Sequence, residues 1–587
     1  MRELKAIDVA MGRQPADLFI RGGRLVNVLT REIYPADVAV AGTRIAAVGN
    51  VDYAVGPETV VIDASSKYLT PGLIDQHIHI HETQLDIVQF AAAVLPCGTT
   101  AICTDFYGEM VVGGSRAVRT VLDAAHGLPL KVWFMLGTPG YYQNDPFGHS
   151  GWPSHEEMLE MLDWPECYGM DDTFAAKIVA ADPRILDLVD AVQARGKKVC
   201  GHGSEIRGRD LNGWMAYVRA TDDHESVDPE EAVEKARAGL HISMREGSGC
   251  FNVSAVARAV SEYGIDPRRF CFCADLISPL QIAEDGHIDN AVRRAIQSGI
   301  PPVVAVQMAT LNAAECLKVD DDEGSVSPGK IADILLVDDL TAFHVAAVIA
   351  NGTLVARDGI LVTPLLTRQY PEWAYGTVHF AHPLTPEDFG LPGDAERGEV
   401  VVRVITASGQ TLLTGQAHER MTPKHGQITA DADRDILKIA AVERVRGTGE
   451  IGVGLIRGFG LRSGAMATTY NSQQQNLIVL GTDDRDMAVA ANTLARTGGG
   501  FVVVERGEVR GLLELPLFGL LSDRSYEHVV STLRRLNVVL AEMGCHLPAP
   551  FHTLGFMGLP VDIGTLKISP RGLVDVWQSS IVPPTVG

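Results

Sequence analysis

A chain of 587 residues exceeds the ~250–300 residues at which a single hydrophobic core stops growing, so two or three domains are expected. Its 46% hydrophobic and 21% charged residues are those of a folded globular protein and exclude a largely disordered one. A formal charge of -23, from 73 acidic against 50 basic residues, repels phosphate backbones and anionic lipid, which excludes nucleic acid and membrane surfaces as partners.

Residues 17–62 alternate apolar runs with turn residues (DLFIRGGRLVNV, DVAVAGTRIAAVG, TVVIDA), the mark of short antiparallel strands. Matching text returns at GKIADILLVDDL and AAVIANGTLVARDGI, so residues 1–68 and 323–372 are expected to form one composite β-sandwich flanking whatever lies between. Across 69–322, strand-like runs alternate with helical stretches, the pattern of a (β/α)8 barrel of the α/β class. Eight strands can be counted: GLIDQHIHI, TTAICTD, LKVWFML, TFAAKIVA, KKVCGHG, YVRATDDH, LHISMREG and RRFCFCAD. After the Pro-rich stretch that starts near residue 372, VVRVITA, NLIVLGTDD and GFVVVERG with helical RDMAVAANTLARTGG and YEHVVSTLRRLNVVLAEMG predict an α+β domain over 373–587. Gly498, Gly499 and Gly500 read as a helix stop before a strand and not as a phosphate loop. No apolar run is long enough for a membrane span, and MRELKAIDVA has no signal-peptide core. The nine cysteines lack a framework spacing. A cytoplasmic protein with reduced thiols, forming a homo-oligomer, is therefore expected.

Ionisable residues gather at the carboxyl ends of the predicted barrel strands, where barrel enzymes build their sites. His77 and His79 stand two apart on the first strand, so their side chains share a face and can share a metal. Alone the pair is a weak signal, since two histidines can be satisfied by hydrogen bonds at a strand end. The recurrence of His202, His224 and Asp275 at later strand ends makes a metal site the better reading. Several histidines with a carboxylate suit Zn2+, Fe2+ or Mn2+, and two such ions would ionise a water at neutral pH. Asp275 could then take and return the proton, with His224 and Glu82 as further candidates for catalysis.

These residues carry a resemblance. PGLIDQHIHIHE, the positions of His202, His224 and Asp275, and GSVSPGKIADILLVDDL are similar to the amidohydrolase superfamily, and more closely to the adenine deaminases. The resemblance spans nearly the whole chain, through AVLPCGTTAICTD, GRDLNGW, DDHES, SMREGSG, EDGHIDNAVRRAI and ATLNAAE to GFGLRSGA, NLIVLGTDDRDM and LSDRSYEHV. It implies a metal-held hydroxide that attacks the amidine carbon of adenine to give hypoxanthine and ammonia. The chain departs from the family beside the metal positions. The family's Ile-Glu-Ser-Ser is here Ile80, His81, Glu82, Thr83; its Asp-Pro-His-Glu is Asp105, Phe106, Tyr107, Gly108; and a carboxyl-terminal His-Asp-Ser-His-Asn is Ser472 to Asn476.

The family's bridging Glu at strand four is matched by Asp171 or Asp172, whereas TFAAKIV taken as the strand puts Lys177 at its end, where hydantoinase-like relatives carry a carboxylated lysine. Both remain open. His81, Tyr107, Arg245 and Glu246 are candidate substrate contacts, and His287 is expected to cap or pack a helix start. The substrate expected is a small nitrogen heterocycle. Hydrolysis of a cyclic amide or imide is the alternative to deamination, and a metal-binding scaffold without catalysis is the alternative outside enzymes. A base-flipping nucleic-acid deaminase is disfavoured, because the chain has no Cys-x-x-Cys zinc signature.

Overall fold

The computed structural model of the protein describes residues 4–138, 151–366, 368–393, 398–409, 413–559 and 564–586. The two strand-rich segments that flank the barrel in sequence meet in one nine-stranded sheet, joined where Tyr68–Pro71 pairs antiparallel with Ile334–Val337. Leu18, Ile20, Val38, Ile334 and Ile349 bury a shared core on one face. Phe19 and Ala39, one residue out of phase, pack with Val9 of helix Leu4–Ala10 on the other. The strict alternation of strand side chains thus gives the sheet two covered faces. The sheet takes in residues up to Pro71, past the boundary expected at 68.

Between these strands lies the parallel barrel: β1 (Leu73–Ile78), β2 (Thr99–Thr104), β3 (Lys131–Gly137), β4 (Cys167–Phe174), β5 (Lys198–His202), β6 (Asp222–Asp223), β7 (His241–Gly247) and β8 (Phe270–Cys273). Consecutive strands pair from β1 to β8. The ring closes just beyond β8, where Asp275 bridges Ile78; the His79 amide donates to the Asp275 carbonyl at 3.1 Å and the Asp275 amide to the His77 carbonyl at 3.0 Å. Closure of the barrel therefore seats Asp275 against both histidines of β1.

Strand four corrects the expected register. The strand is Cys167–Phe174, and TFAAKIVA turns into the short helix Ala175–Val179. An Ala-Ala-Lys start is a good helix former, and a short apolar run does not by itself distinguish strand from helix. The carboxyl end of β4 is accordingly Asp171 and Asp172, not Lys177.

The carboxyl-terminal part is α+β: a second nine-stranded sheet, built around Leu437–Val442, Leu477–Gly481, Ala465–Thr468 and Gly500–Glu505, carries helices Asp484–Thr497 and Tyr526–Glu542, with a three-stranded sheet beside it. Gly498 ends the first helix in the left-handed region at φ 79°, its amide returning to the Leu494 carbonyl, as a helix stop should. This part sits on the barrel mouth. The Ser522 amide donates to the Gln84 carbonyl at 2.8 Å, and the Tyr526 amide donates to Gln89 Oε1 at 2.9 Å. Among the described residues no helix is long and apolar enough to cross a membrane.

Candidate metal centre

The barrel ends converge on one carboxylate. Asp172 stands 3.4 Å from His202 Nδ1 and from His224 Nε2, 3.5 Å from His79 Nε2 and 4.0 Å from His77 Nε2. Asp275 Oδ1 lies 3.5 Å from His77 Nε2 and 3.4 Å from His79 Nε2. Asp172 and Asp275 both hold left-handed backbone, at φ 49° and 55°, a strained conformation for a side-chain-bearing residue and one that gathers at functional sites. His77, His79 and Asp275 form one group able to hold an ion; His77, Asp172 and His224 form another, and His202 and His224 a third with Glu225.

The donors fit divalent cations. Separations of 3.4–3.5 Å are long for charge-assisted hydrogen bonds. They match donors arranged tetrahedrally at ~2.1 Å around a shared ion, which stand ~3.4 Å apart. His77 Nε2, Asp172 Oδ1 and His202 Nδ1 are buried with no hydrogen-bond partner. Three orphaned atoms at the focus of the cluster are what an ion would satisfy.

Two further carboxylates orient the β1 histidines. His77 Nδ1 donates to Asp171 at 3.0 Å and His79 Nδ1 to Asp105 at 3.0 Å, which fixes each tautomer so that Nε2 faces the cluster. Burial disfavours charge on His79, yet the Asp105 carboxylate holds its imidazole up at about 10; burial likewise opposes charge on His202, and Glu225 with Asp172 holds it up at about 9. His224 goes the other way, to about 4, because burial and the stacked His77 ring, 4.0 Å between centroids, both oppose its charge. Imidazoles set against carboxylates in a buried cluster are an arrangement in which cations can take the place of protons.

Beside the cluster Arg245 Nη1 donates to Glu225 Oε1 at 2.6 Å and to Asp275 Oδ2 at 3.2 Å, while Ser204 donates to Glu225 Oε2 at 2.8 Å. Tyr107 lines the same chamber with its hydroxyl 3.2 Å from Ser472 Oγ and 3.5 Å from Glu82 Oε1. Ser472, Gln473, Phe556 and Leu559 of the carboxyl-terminal part form the roof, and Leu276 adds an apolar wall. The half-open cleft between these walls has about 50 Å³ of free space.

Of the residues singled out in the sequence, His77, His79, Asp172, His202, His224, Asp275, Tyr107 and Arg245 come together here. Three expectations are corrected. Lys177 is half-buried in its helix, where its charge acts on Asp182, and it belongs to none of the ion-holding groups. Glu246 faces away from the mouth, towards Arg294 Nε at 3.4 Å, because Arg245 takes the inward position and side chains alternate along β7. His81 lies behind the Tyr107 ring, 4.5 Å between centroids, since β1 gives way after Ile78 to the single turn Ile80–Thr83. Glu82 shares that place; burial lifts its carboxyl to about 8, against hydrogen bonds from Tyr470 and Tyr107. His287 packs beneath the barrel, bonded to Thr99 and 3.1 Å from Asp75, at the start of helix Ile288–Gln297. The sequence reading did not reach Glu225 or Tyr470, and it noted Gln473 only within the stretch Ser472 to Asn476; the position of Glu225 next to His224 was the one available signal for that residue.

Residues 68–355 match the amidohydrolase family and residues 411–580 the adenine deaminase C-terminal domain. The chain is 39% identical over 594 residues to the adenine deaminase of Moorella thermoacetica (strain ATCC 39073 / JCM 9320), covering 100% of this chain and 98% of that protein. It is 37% identical to the adenine deaminase of Clostridium botulinum (strain 657 / Type Ba4), covering 97% and 95%. Adenine deaminase 4 of Rhizobium meliloti (strain 1021) is 39% identical, covering 98% and 95%.

Proposed function

The chain belongs to the adenine deaminase family of amidohydrolases, and from that premise we propose that it hydrolyses adenine to hypoxanthine and ammonia at the cluster around Asp172. The observation that carries the reading is one buried carboxylate within 3.4–4.0 Å of four imidazole nitrogens, with Asp275 beside two of them. We assign His77, His79 and Asp275 to one divalent ion and His202 and His224 to a second, with Asp172 shared; Mn2+, Fe2+ or Zn2+ suits the donors. Bound there, the ions would bring the pKa of a water near neutrality.

The protein's own groups do the rest. Asp275 accepts a proton from the attacking water and returns it to the departing nitrogen. Burial alone would raise its carboxyl, but the His77 imidazole beside it and the charges of His224 and Arg245 hold it well below the usual range, so it starts as the base. Asp105 and Asp171 hold the β1 histidines in register. Glu82 acts through Tyr107, which it steadies from behind. Leu276, Phe556 and Leu559 exclude water around a planar ring. We infer the four-part division of the chain set out above with its first boundary moved to Pro71, and a cytoplasmic setting supported by nine unpaired cysteines.

The test is metal-loaded, purified protein assayed for ammonia and hypoxanthine from adenine. Release of both is expected; consumption of a hydantoin or lactam with no ammonia from adenine would overturn the reading in favour of cyclic-amide hydrolysis.

A further inference from the structure

Gln473 is the one side chain in the chamber that bears both a donor and an acceptor while making no hydrogen bond with the described residues. It is 7% exposed and adopts φ 66°, a left-handed backbone that a residue of this type rarely takes. Its neighbours lock that conformation. The Gln475 amide donates to the Asn471 carbonyl at 2.8 Å, Arg444 Nε donates to the Gln475 carbonyl at 2.6 Å, and Asn471 Nδ2 donates to the Gly555 carbonyl at 2.8 Å. Ser472 is engaged by Tyr107, and Gln474 Oε1 accepts from Asn476. A braced, strained turn thus presents one free carboxamide to the space above the metal cluster.

We propose that Gln473 determines specificity by pairing its carboxamide with the donor–acceptor edge of an unsubstituted heterocycle. The inference rests on the reading of the site given above. With C6 of a purine at the cluster, the edge across the ring presents N3 as an acceptor next to N9–H as a donor, and a carboxamide offers the complementary N–H and C=O side by side. A sugar or alkyl group on N9 removes the donor and occupies the place of the amide. The ring's flat faces would meet Phe556, Leu559 and Leu276, which carry no polar information, and Gln473 is the lining carboxamide that can pair with the edge. The pair selects the free base over the N9-substituted one.

The experiment compares the metal-loaded full chain with Gln473→Met, which keeps the volume and removes the amide, on adenine, 9-methyladenine and 3-deazaadenine. Metal content and melting temperature establish that the variant is intact. Loss of a buried hydrogen-bonding pair is expected to lower kcat/KM for adenine by about 10- to 100-fold. The same substitution should change kcat/KM for 9-methyladenine by less than about threefold, because the contact is already missing. An equal loss on all three bases, or no loss on adenine, overturns the proposal. Failure of the wild-type chain to deaminate adenine is a separate result that overturns the deaminase reading. The same cycle then runs on hydantoin and its N-methyl derivatives, whose N–H and C=O edge poses the same question to Gln473; a chain inert towards both classes overturns both statements.

Discussion

Replacing Asp172 with Asn removes one charge and changes one atom, and it tests the geometry at its centre. Asp172 is the only group within 4.0 Å of imidazole nitrogens from His77, His79, His202 and His224 among the described residues. Loss of a carboxylate that only orients a ligand costs ~10–100-fold in metal affinity or activity. A carboxylate shared by two ions, as proposed for Asp172, should cost more, so the affinity of D172N should fall at least ~100-fold, equivalent to ~2.7 kcal/mol. Lys177→Ala is the control: the lysine is half-buried, outside every ion-holding group, and on a helix where Ala is a good residue. The assay is metal content after dialysis against a weak chelator, read with the metal-dependent rise in melting temperature that follows from binding to the folded state alone. Wild type and K177A should retain the same metal, and D172N should lose at least one ion and most of the thermal shift. Full metal in D172N, or metal loss in K177A, would refute the assignment and restore the lysine as the bridge.

Asp275→Asn keeps the shape at the barrel seam but removes the proton acceptor; turnover should fall by ~10²–10⁴-fold with a melting temperature close to wild type, measured by ammonia release and calorimetry. Tyr470→Phe deletes the hydroxyl that donates to Glu82 from the carboxyl-terminal part. It should reduce kcat by about tenfold and leave metal content unchanged; unchanged kcat would mean that Glu82 needs no support. Glu323, at the seam between barrel and flanking sheet, is pushed up to about 8, by burial first and by Asp333 next. The unfolded chain releases this proton near 4.5 and the folded one near 8, so the folded state binds more protons between these values and stability falls as pH rises through that window. Glu323→Gln should therefore match wild type near pH 5 and exceed it by ~1–3 kcal/mol at pH 8 in denaturant titrations. A constant difference across pH would refute it.

The candidate metal ligands were legible because two independent patterns coincide in them: apolar runs of strand length, and ionisable residues at the ends of those runs. His77, His79, His202, His224 and Asp275 satisfy both, and barrel closure does the rest. Strand four was misread because TFAAKIVA has the apolar density of a strand and the Ala content of a helix, and only its position against β3 and β5 decides. Strand six is two residues long, too short for any periodicity to show. The orientation of β7 was within reach: once Arg245 points at the centre, alternation sends Glu246 outward. Tyr470 and Glu82 are separated by 388 residues, and no local pattern links a hydroxyl to a carboxylate at that range.

That long separation divides the labour of the site. Every candidate metal ligand lies on the barrel, between His77 and Asp275, whereas the roof comes from residues 470–476 and 556–559. The roof is fastened to the turn that follows β1 at several points: Tyr470 to the Glu82 carboxylate, His552 Nε2 to the Glu82 carbonyl at 2.9 Å, and the Ser522 amide to the Gln84 carbonyl. Residues that line the cleft beside the ligand cluster thus come from the roof as well as from the barrel. Substitutions there can change which heterocycle is accepted without touching a metal ligand.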